Sequence, residues 1–183
     1  MKFGSAAFNL YLISGLACLP LGCKSAGEAK ASKELSILRL HLEVNPDGTQ
    51  RNQPVPIYRA KPERVNVNVE PFIDERSVTN AAVLDELGSF AIGVQFDGHG
   101  TLALEQATTS YKDSRMAVFS QWSDGKKVET RWLGAPKISH SITNGAFIFT
   151  PDATREESEL IVRGLKNLAV QLGNAPKPKK KSK

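Results

Sequence analysis

Cysteine is nearly absent from this 183-residue chain. Its two cysteines, Cys18 and Cys23, lie close to the N-terminus, so the remaining residues can form neither an internal disulfide nor a cysteine-ligated metal site. Three histidines are too few for most histidine-built sites. The sequence also lacks an HExxH motif, a phosphate-binding glycine loop and a serine with a plausible histidine and aspartate context. We therefore expect no enzyme, no metal and no cofactor.

A basic patch on a folded surface is also missing. The formal net charge is +5, but five of the 24 basic residues crowd the C-terminus: Lys177, Lys179, Lys180, Lys181 and Lys183. Residues 1–176 hold 19 basic and 19 acidic residues. Because nucleic-acid binding needs basic residues clustered on a folded face, we expect no nucleic-acid partner. The lysine stretch could contact anionic lipid or act as a solubilising end, and both readings stay open.

Long apolar runs are confined to the N-terminus. A short positive start, Met1-Lys2, precedes a run from Phe3 to Leu21 that holds only three polar residues. Glycine and proline interrupt this run, and its length and flanks are typical of a secretory leader rather than of a permanent span. We predict that residues 1–22 are a signal peptide and that the protein is exported.

The end of this leader resembles the lipobox of bacterial lipoproteins. Leu19-Pro20-Leu21-Gly22 precedes Cys23; the glycine fits the pattern, while the proline and the second leucine depart from it. We predict lipid attachment at Cys23, with residues 23–33 as a tether on the periplasmic side of a bacterial membrane. Two alternatives stay open, namely ordinary cleavage near Ala29-Lys30-Ala31 and an uncleaved anchor.

Alternating hydrophobicity predicts strands from residue 35 onward. The first strand places Leu38 and Leu40 on a buried face and His41 on a solvated one. Turn signals and similar patterns predict further strands at 55–58, 65–69, 78–84, 90–96, 116–121, 128–132 and 146–149. In the strand at 90–96, one face carries small residues onto which a helix could pack.

Two helices are indicated. Asp97 stands in N-cap position before an apolar stripe that includes Leu104. The second helix begins with the capping-box spacing Thr154-Arg155-Glu156-Glu157, and the interior Gly164 suggests a close approach of this helix to the sheet. The sequence thus predicts an α+β fold for residues 34–173, an antiparallel β-sheet with two helices packed on one face. Residues 174–183, rich in Lys and Pro, are predicted to be disordered.

A spaced series of residues resembles the head subdomain of the first periplasmic domain of SecD or the fused SecDF. The series is Tyr58-Arg59, Pro62, Glu70-Pro71, Ala82-Val83, Val94-Gln95-Phe96-Asp97, Gly100, Thr108, Arg115-Met116-Ala117-Val118-Phe119, Leu133-Gly134-Ala135-Pro136, Ile142, Gly145 and Phe149-Thr150. The similarity covers roughly residues 56–172. The series consists of fold-determining residues rather than a catalytic signature.

The resemblance implies an export-related α+β domain outside the cytoplasmic membrane, a head that engages the emerging preprotein. The sequence shows no transmembrane bundle with an intramembrane carboxylate, so we do not expect a proton-driven motor. The expected partners are unfolded exported polypeptide or Sec and other envelope components, together with the membrane through the lipid anchor. The alternative is a structural envelope lipoprotein without a transport role.

Three side chains in the sequence are candidates for a functional site. Trp122 and Trp132 flank the connection at 123–130 and would suit contact with an extended polypeptide if both were exposed; core packing is the competing interpretation. His140 shares a predicted strand face with Ile138 and Ile142, so we expect a partly buried, hydrogen-bonded histidine rather than a catalytic one.

Overall fold

A computed structural model of the protein describes residues 34–123 and 127–175. The predicted signal peptide, the tether with Cys23, the Asp124-Gly125 turn and residues 176–183 of the predicted tail lie outside the described residues.

Eight strands and two α-helices make up the described chain. In chain order they are β1 (Ile37–Leu42), β2 (Asn52–Ile57), β3 (Glu63–Asn68), β4 (Val78–Glu86), β5 (Ser89–Phe96), α1 (Gly98–Ser110), β6 (Met116–Ser123), β7 (Val128–Gly134), β8 (Ala146–Phe149) and α2 (Arg155–Gln171). A single 3-10 turn, Glu75–Ser77, precedes β4. The α+β fold class is confirmed.

The strands are distributed over three antiparallel sheets rather than one. Their orders are β1-β6-β7, β2-β3 and β4-β5-β8. Two isolated bridges connect the first sheet to neighbouring segments. Leu40 of β1 pairs with Ile73, and Glu43, just after β1, pairs with Val67 of β3. The β2-β3 hairpin therefore lies beside the first sheet as a separate unit.

The main core lies between the helices and two of the sheets. Leu104 of α1 and Ile161 and Leu165 of α2 are buried in the same cluster as residues of β1, β4, β5, β6 and β8. Burial of large apolar side chains contributes roughly 1.5 to 3 kcal/mol each, so this shared cluster is what holds both helices to the sheets.

A second, smaller core lies on the other face of β1 and β6. It consists of Val55, Ile57, Val65, Val67, Ala117 and Ala135, with Trp132 packed against it.

The expectation that His41 is solvated was wrong, because this second core covers the polar face of β1. His41 is 5% exposed and donates from Nδ1 to the carbonyl oxygen of Asn68 at 2.8 Å. Burial lowers its pKa.

The second helix begins and packs as its sequence predicts. Thr154 and Glu157 form both bonds of the capping box. Gly164 is buried against the segment that leads into β1, where a Cβ would stand 2.6 Å from the Ser36 nitrogen and 2.8 Å from the Leu35 carbonyl carbon. A close approach at Gly164 is present as predicted, but its partner is the Leu35–Ser36 segment that leads into β1 and not the sheet itself. Asp97 caps α1 by accepting from the Gly100 N–H at 2.7 Å.

Two local expectations were wrong. Neither of the two described helices packs on the small-residue face of β5, since both lie in the core with its large residues Ile92, Val94 and Phe96. That face borders an open cleft of about 180 Å³, and Ile148, which lines the cleft, is 53% exposed. His140 is not partly buried on a strand but lies exposed in the loop before β8; its predicted hydrogen bond is present, with Nδ1 2.9 Å from the Ser139 hydroxyl. Among the described residues, neither helix is long and apolar enough to cross a membrane.

Candidate functional site

The two tryptophans lie on opposite faces of the β1-β6-β7 sheet. In the β6-β7 register Phe119 stands opposite Trp132, and Trp122 stands opposite Glu129. Side chains alternate along a strand and directly opposed residues share a face. The three-residue offset between Phe119 and Trp122 therefore turns the two indole rings to different sides, and they form no joint surface.

Trp122 faces the main core. It is 2% exposed, and the Arg131 guanidinium carbon lies 5.0 Å from the centroid of its ring. A polypeptide cannot reach this indole while the domain is folded. The core-packing interpretation therefore describes Trp122.

Trp132 faces the second core and borders a groove. Its ring makes edge contacts with Phe119 and His41, at centroid distances of 5.2 and 5.0 Å. These contacts fix the ring, which is only half buried. The groove has a volume of about 270 Å³ and is lined by Pro56, Tyr58, Arg59, Pro62, Thr130, Arg131, Trp132 and Asp152.

Tyr58 lines this groove and has an unusual backbone conformation. Its φ is +64°, a left-handed conformation that costs a non-glycine residue about 1 to 2 kcal/mol. The neighbours hold it there: Ile57 is fully buried in the second core, and the Arg59 N–H donates to Asp152 Oδ2 at 2.7 Å. The result is a tyrosine ring that stays 41% exposed. Strain of this kind clusters at functional sites.

The charged side chains of the groove are paired with one another. Arg59 Nε lies 3.4 Å from Asp152 Oδ2. Arg131 donates to both carboxylate oxygens of Glu157, each at 3.0 Å. Burial opposes the ionisation of Glu157, yet the Arg131 guanidinium and the Thr154 N–H hold its pKa below the usual range. The hydrogen bond from Arg131 to this carboxylate in turn raises the pKa of Arg131. The groove thus carries little unbalanced charge.

This arrangement suits an uncharged, extended ligand. Two prolines and two aromatic rings line the apolar part, and the paired cations do not form an anion site. Among residues 34–123 and 127–175 no group of three His, Cys, Asp or Glu side chains could hold a metal ion. Rigid Tyr and Trp rings contribute large contact area at low conformational cost, and grooves lined by aromatic residues bind proline-rich and other extended segments.

Only part of this groove could be predicted from the sequence. Trp132 was expected to act together with Trp122, because the register of the hairpin cannot be read from the sequence. Arg59 and Asp152 are 93 positions apart, and no local signal connects them. Tyrosine is not a residue that signals a left-handed backbone, so the turn at Tyr58 could not be anticipated.

Comparison with known proteins identifies the fold. No protein-family model matches the sequence, and no curated protein matches it. A solved structure described as SecDF, a membrane component that enhances protein export, is 16% identical with a TM-score of 0.51; the alignment covers 81% of this chain and 71% of that chain. The fold is similar to that of SecDF. The resemblance predicted from the sequence is confirmed at this level.

A second SecDF structure agrees. SecDF in its Super-membrane-facing form is also 16% identical, with a TM-score of 0.50. The alignment covers 80% of this chain but 21% of that chain. The chain described here thus corresponds in fold to about a fifth of that SecDF chain.

Proposed function

We propose that this protein is a non-enzymatic, membrane-tethered envelope protein that binds exported polypeptide in an extended conformation, in a SecD-like role in protein export. The observation that carries the proposal is the groove in which the fixed Trp132 ring, the exposed Tyr58 ring and two prolines lie next to internally paired charges. The SecD-like fold supports a place in export. Sec or other envelope components would then be its partners.

The dimensions and chemistry of the groove favour a polypeptide segment. At about 270 Å³ it lies just below the range of roughly 300 to 1,000 Å³ for small-molecule pockets, so it suits one or two side chains of a longer ligand. Contact with the aromatic rings and prolines of the groove requires no particular charge on the side chains of the bound polypeptide. A site of this kind would tolerate many unfolded sequences, as an export component requires.

Replacing Tyr58 with alanine is expected to weaken binding of unfolded polypeptide about tenfold. A central aromatic contact is worth more than about 1 kcal/mol, and about 1.4 kcal/mol corresponds to a factor of ten. The measurement is fluorescence anisotropy of a labelled, uncharged, extended peptide with the purified protein.

Tyr111→Ala provides the matched control. Tyr111 is 44% exposed, close to the exposure of Tyr58, but it lies at the end of α1 outside the groove. Its removal should leave the dissociation constant unchanged. Equal losses of peptide affinity from both substitutions, or an unchanged affinity in Tyr58→Ala, would contradict polypeptide binding in this groove.

Lipid attachment at Cys23 would hold this groove at the membrane. Each acyl methylene buried in a bilayer contributes roughly 0.8 kcal/mol, and a lipoprotein carries several chains. The supporting observation is the leader ending in Leu19-Pro20-Leu21-Gly22 before the cysteine. The periplasmic side of a bacterial membrane is the location that this leader and the SecD-like fold both favour.

Cys23→Ser is expected to release the protein from the membrane fraction and to abolish acyl labelling. Fractionation of cells grown with a labelled fatty acid measures both. Cys18→Ser is the control, since it removes the other cysteine of the leader and should leave labelling intact. Unchanged membrane retention of the Cys23 variant, together with no label in the wild type, would contradict a lipoprotein.

A further inference from the structure

Strand β8 forms one edge of the β4-β5-β8 sheet. It pairs with β5 on one side, and no described strand pairs with it on the other. The Phe96 N–H donates to the Gly145 carbonyl at 3.0 Å, which places these two residues in a hydrogen-bonded pair of the antiparallel ladder. Because bonded and non-bonded pairs alternate, the two phenylalanines of β8 bond to β5. Ala146 and Ile148 turn their backbone groups away from β5.

Three of these outward backbone groups have no hydrogen-bond partner among the described residues. The Ala146 N–H does have one, because it donates to the Asn144 side-chain oxygen at 3.0 Å. The Ala146 carbonyl and both the N–H and the carbonyl of Ile148 take part in no hydrogen bond within the described ranges. Unpaired groups in a row along an edge strand are a template for pairing with another extended chain.

The other sheet edges in the described part of the chain are protected against such pairing. Prolines at 54 and 56 interrupt β2, charged side chains at 129 and 131 lie on β7, and a register shift disturbs the start of β4. Bridges to neighbouring segments occupy β1 and β3. Proline, charge and bulges are the features by which proteins block edge strands. The β8 sequence Ala-Phe-Ile-Phe contains none of them.

A cleft of about 490 Å³ runs beside the outer edge of β8. Its walls are β8 and the loop at 140–144. Ala146 and Ile148 line it and no residue of β5 does, so it opens on the side of β8 that faces away from β5. The Ile148 side chain is 53% exposed there. The volume lies within the range of roughly 300 to 1,000 Å³ that is typical of ligand sites.

The charge and size of this cleft favour one uncharged, extended segment as its occupant. No Asp, Glu, Lys or Arg lines it, so it provides no partner for a charged side chain. A second copy of the protein would meet the four residues of β8 over about 14 Å. A stable dimer buries roughly 1,200 to 2,000 Å², and so short an edge beside a loop does not supply that area.

We propose that β8 binds an uncharged polypeptide segment as an added antiparallel strand. The residue opposite Ile148 exchanges two backbone hydrogen bonds with it and lays its own side chain beside the exposed isoleucine. The N–H two residues further along the segment donates to the Ala146 carbonyl. This site shares no lining residue with the groove at Tyr58 and Trp132, and it goes beyond the function proposed for that groove. It recognises the backbone of the bound chain, as other strand-addition sites do.

Amide hydrogen exchange of the full chain, followed residue by residue by nuclear magnetic resonance, tests this site. The probe is an eight-residue peptide of alternating valine and threonine. At a peptide concentration about ten times the dissociation constant, exchange of the Ile148 amide should slow about tenfold. The Phe147 amide is the internal control, because it is already bonded to β5 and should not change.

Two methylated forms of the peptide distinguish strand pairing from side-chain contact. With valine beside Ile148, the valine N–H groups point toward β8 and the threonine N–H groups point away. Methylation of every valine nitrogen removes two of the three bonds and should weaken binding about tenfold or more. Methylation of every threonine nitrogen should leave binding unchanged. Both dissociation constants are read from Ile148 exchange, so binding in the groove does not contribute to them.

Two substitutions test the edge from the side of the protein. Ile148→Pro removes the outward N–H without removing a bond to β5, a position at which an edge strand tolerates proline. Ile148→Ala trims the side chain and keeps the N–H. The proline variant should bind the peptide more weakly than the alanine variant in fluorescence anisotropy. If the proline variant does not fold, the methylated peptides decide the question with the unaltered protein.

Several outcomes would overturn the proposal. Equal dissociation constants for the two methylated peptides would do so, as would unchanged Ile148 exchange up to the solubility limit of the peptide. Slowing that grows with protein concentration in the absence of peptide would assign the edge to a second copy instead. In the Tyr58→Ala variant the slowing at Ile148 should persist, so failure of the groove and failure of this edge are distinguishable.

Discussion

Trp122→Ala is expected to lower the free energy of unfolding by about 3 to 5 kcal/mol, the usual range for removing a buried tryptophan. The indole is 2% exposed in the main core, and its removal also takes the ring from beneath the Arg131 guanidinium. Arg131 in turn pairs with Glu157 at the start of α2, so the cavity opens where helix and sheet meet. Urea denaturation followed by circular dichroism measures the change.

Trp132→Ala is the matched comparison for the Trp122→Ala substitution. The same atoms are removed, but the Trp132 ring is half buried at the edge of the second core. A clearly smaller loss of stability is expected. If the two substitutions destabilised the protein equally, or if the Trp122 loss fell below that of Trp132, the opposite-face placement of the rings would be wrong.

Gly164→Ala is expected to destabilise the protein by about 1 to 3 kcal/mol, the typical effect of overpacking. This loss of stability is opposite to the effect of helix propensity alone, which favours alanine over glycine by about 1 kcal/mol in a helix interior. The added Cβ would meet backbone atoms of Leu35 and Ser36 at 2.8 and 2.6 Å. Backbone that leads into a buried strand cannot move aside as a flexible side chain would.

Gly98→Ala supplies the control for glycine replacement itself. Gly98 is the first residue of α1, and a Cβ there would meet nothing within 4 Å. The variant should be as stable as the wild type or more stable, by up to about 1 kcal/mol. A stabilising Gly164→Ala in thermal denaturation would show that α2 and the segment before β1 do not pack as described.

Much of the fold could be predicted because its signals are local. The capping box at Thr154 requires only residues three apart, and both of its hydrogen bonds are present. The N-cap at Asp97 and the β4-β5 hairpin follow from similar short-range patterns. The glycine at position 164 indicated a close approach to the sheet, whereas the contact is made by the segment that leads into β1.

The candidate site was harder to predict, because its residues meet only through long-range pairing. Trp132 could be predicted from its chemistry, but its partners come from two other parts of the chain, Tyr58-Arg59 and Asp152. His41 shows the same difficulty in the core. Its alternation with leucines indicates a solvated face, but the second core covers that face.

The amino-acid sequence by itself determined the element types, the helix starts, the division of charge between body and ends, and the candidate lipidation site at Cys23. Each depends on neighbours in the chain or on composition. Only the tertiary structure decided which tryptophan is accessible and how the charges of the groove pair. Those properties depend on strand register and packing, and a shift of register by a single residue reverses the face of every side chain in a strand.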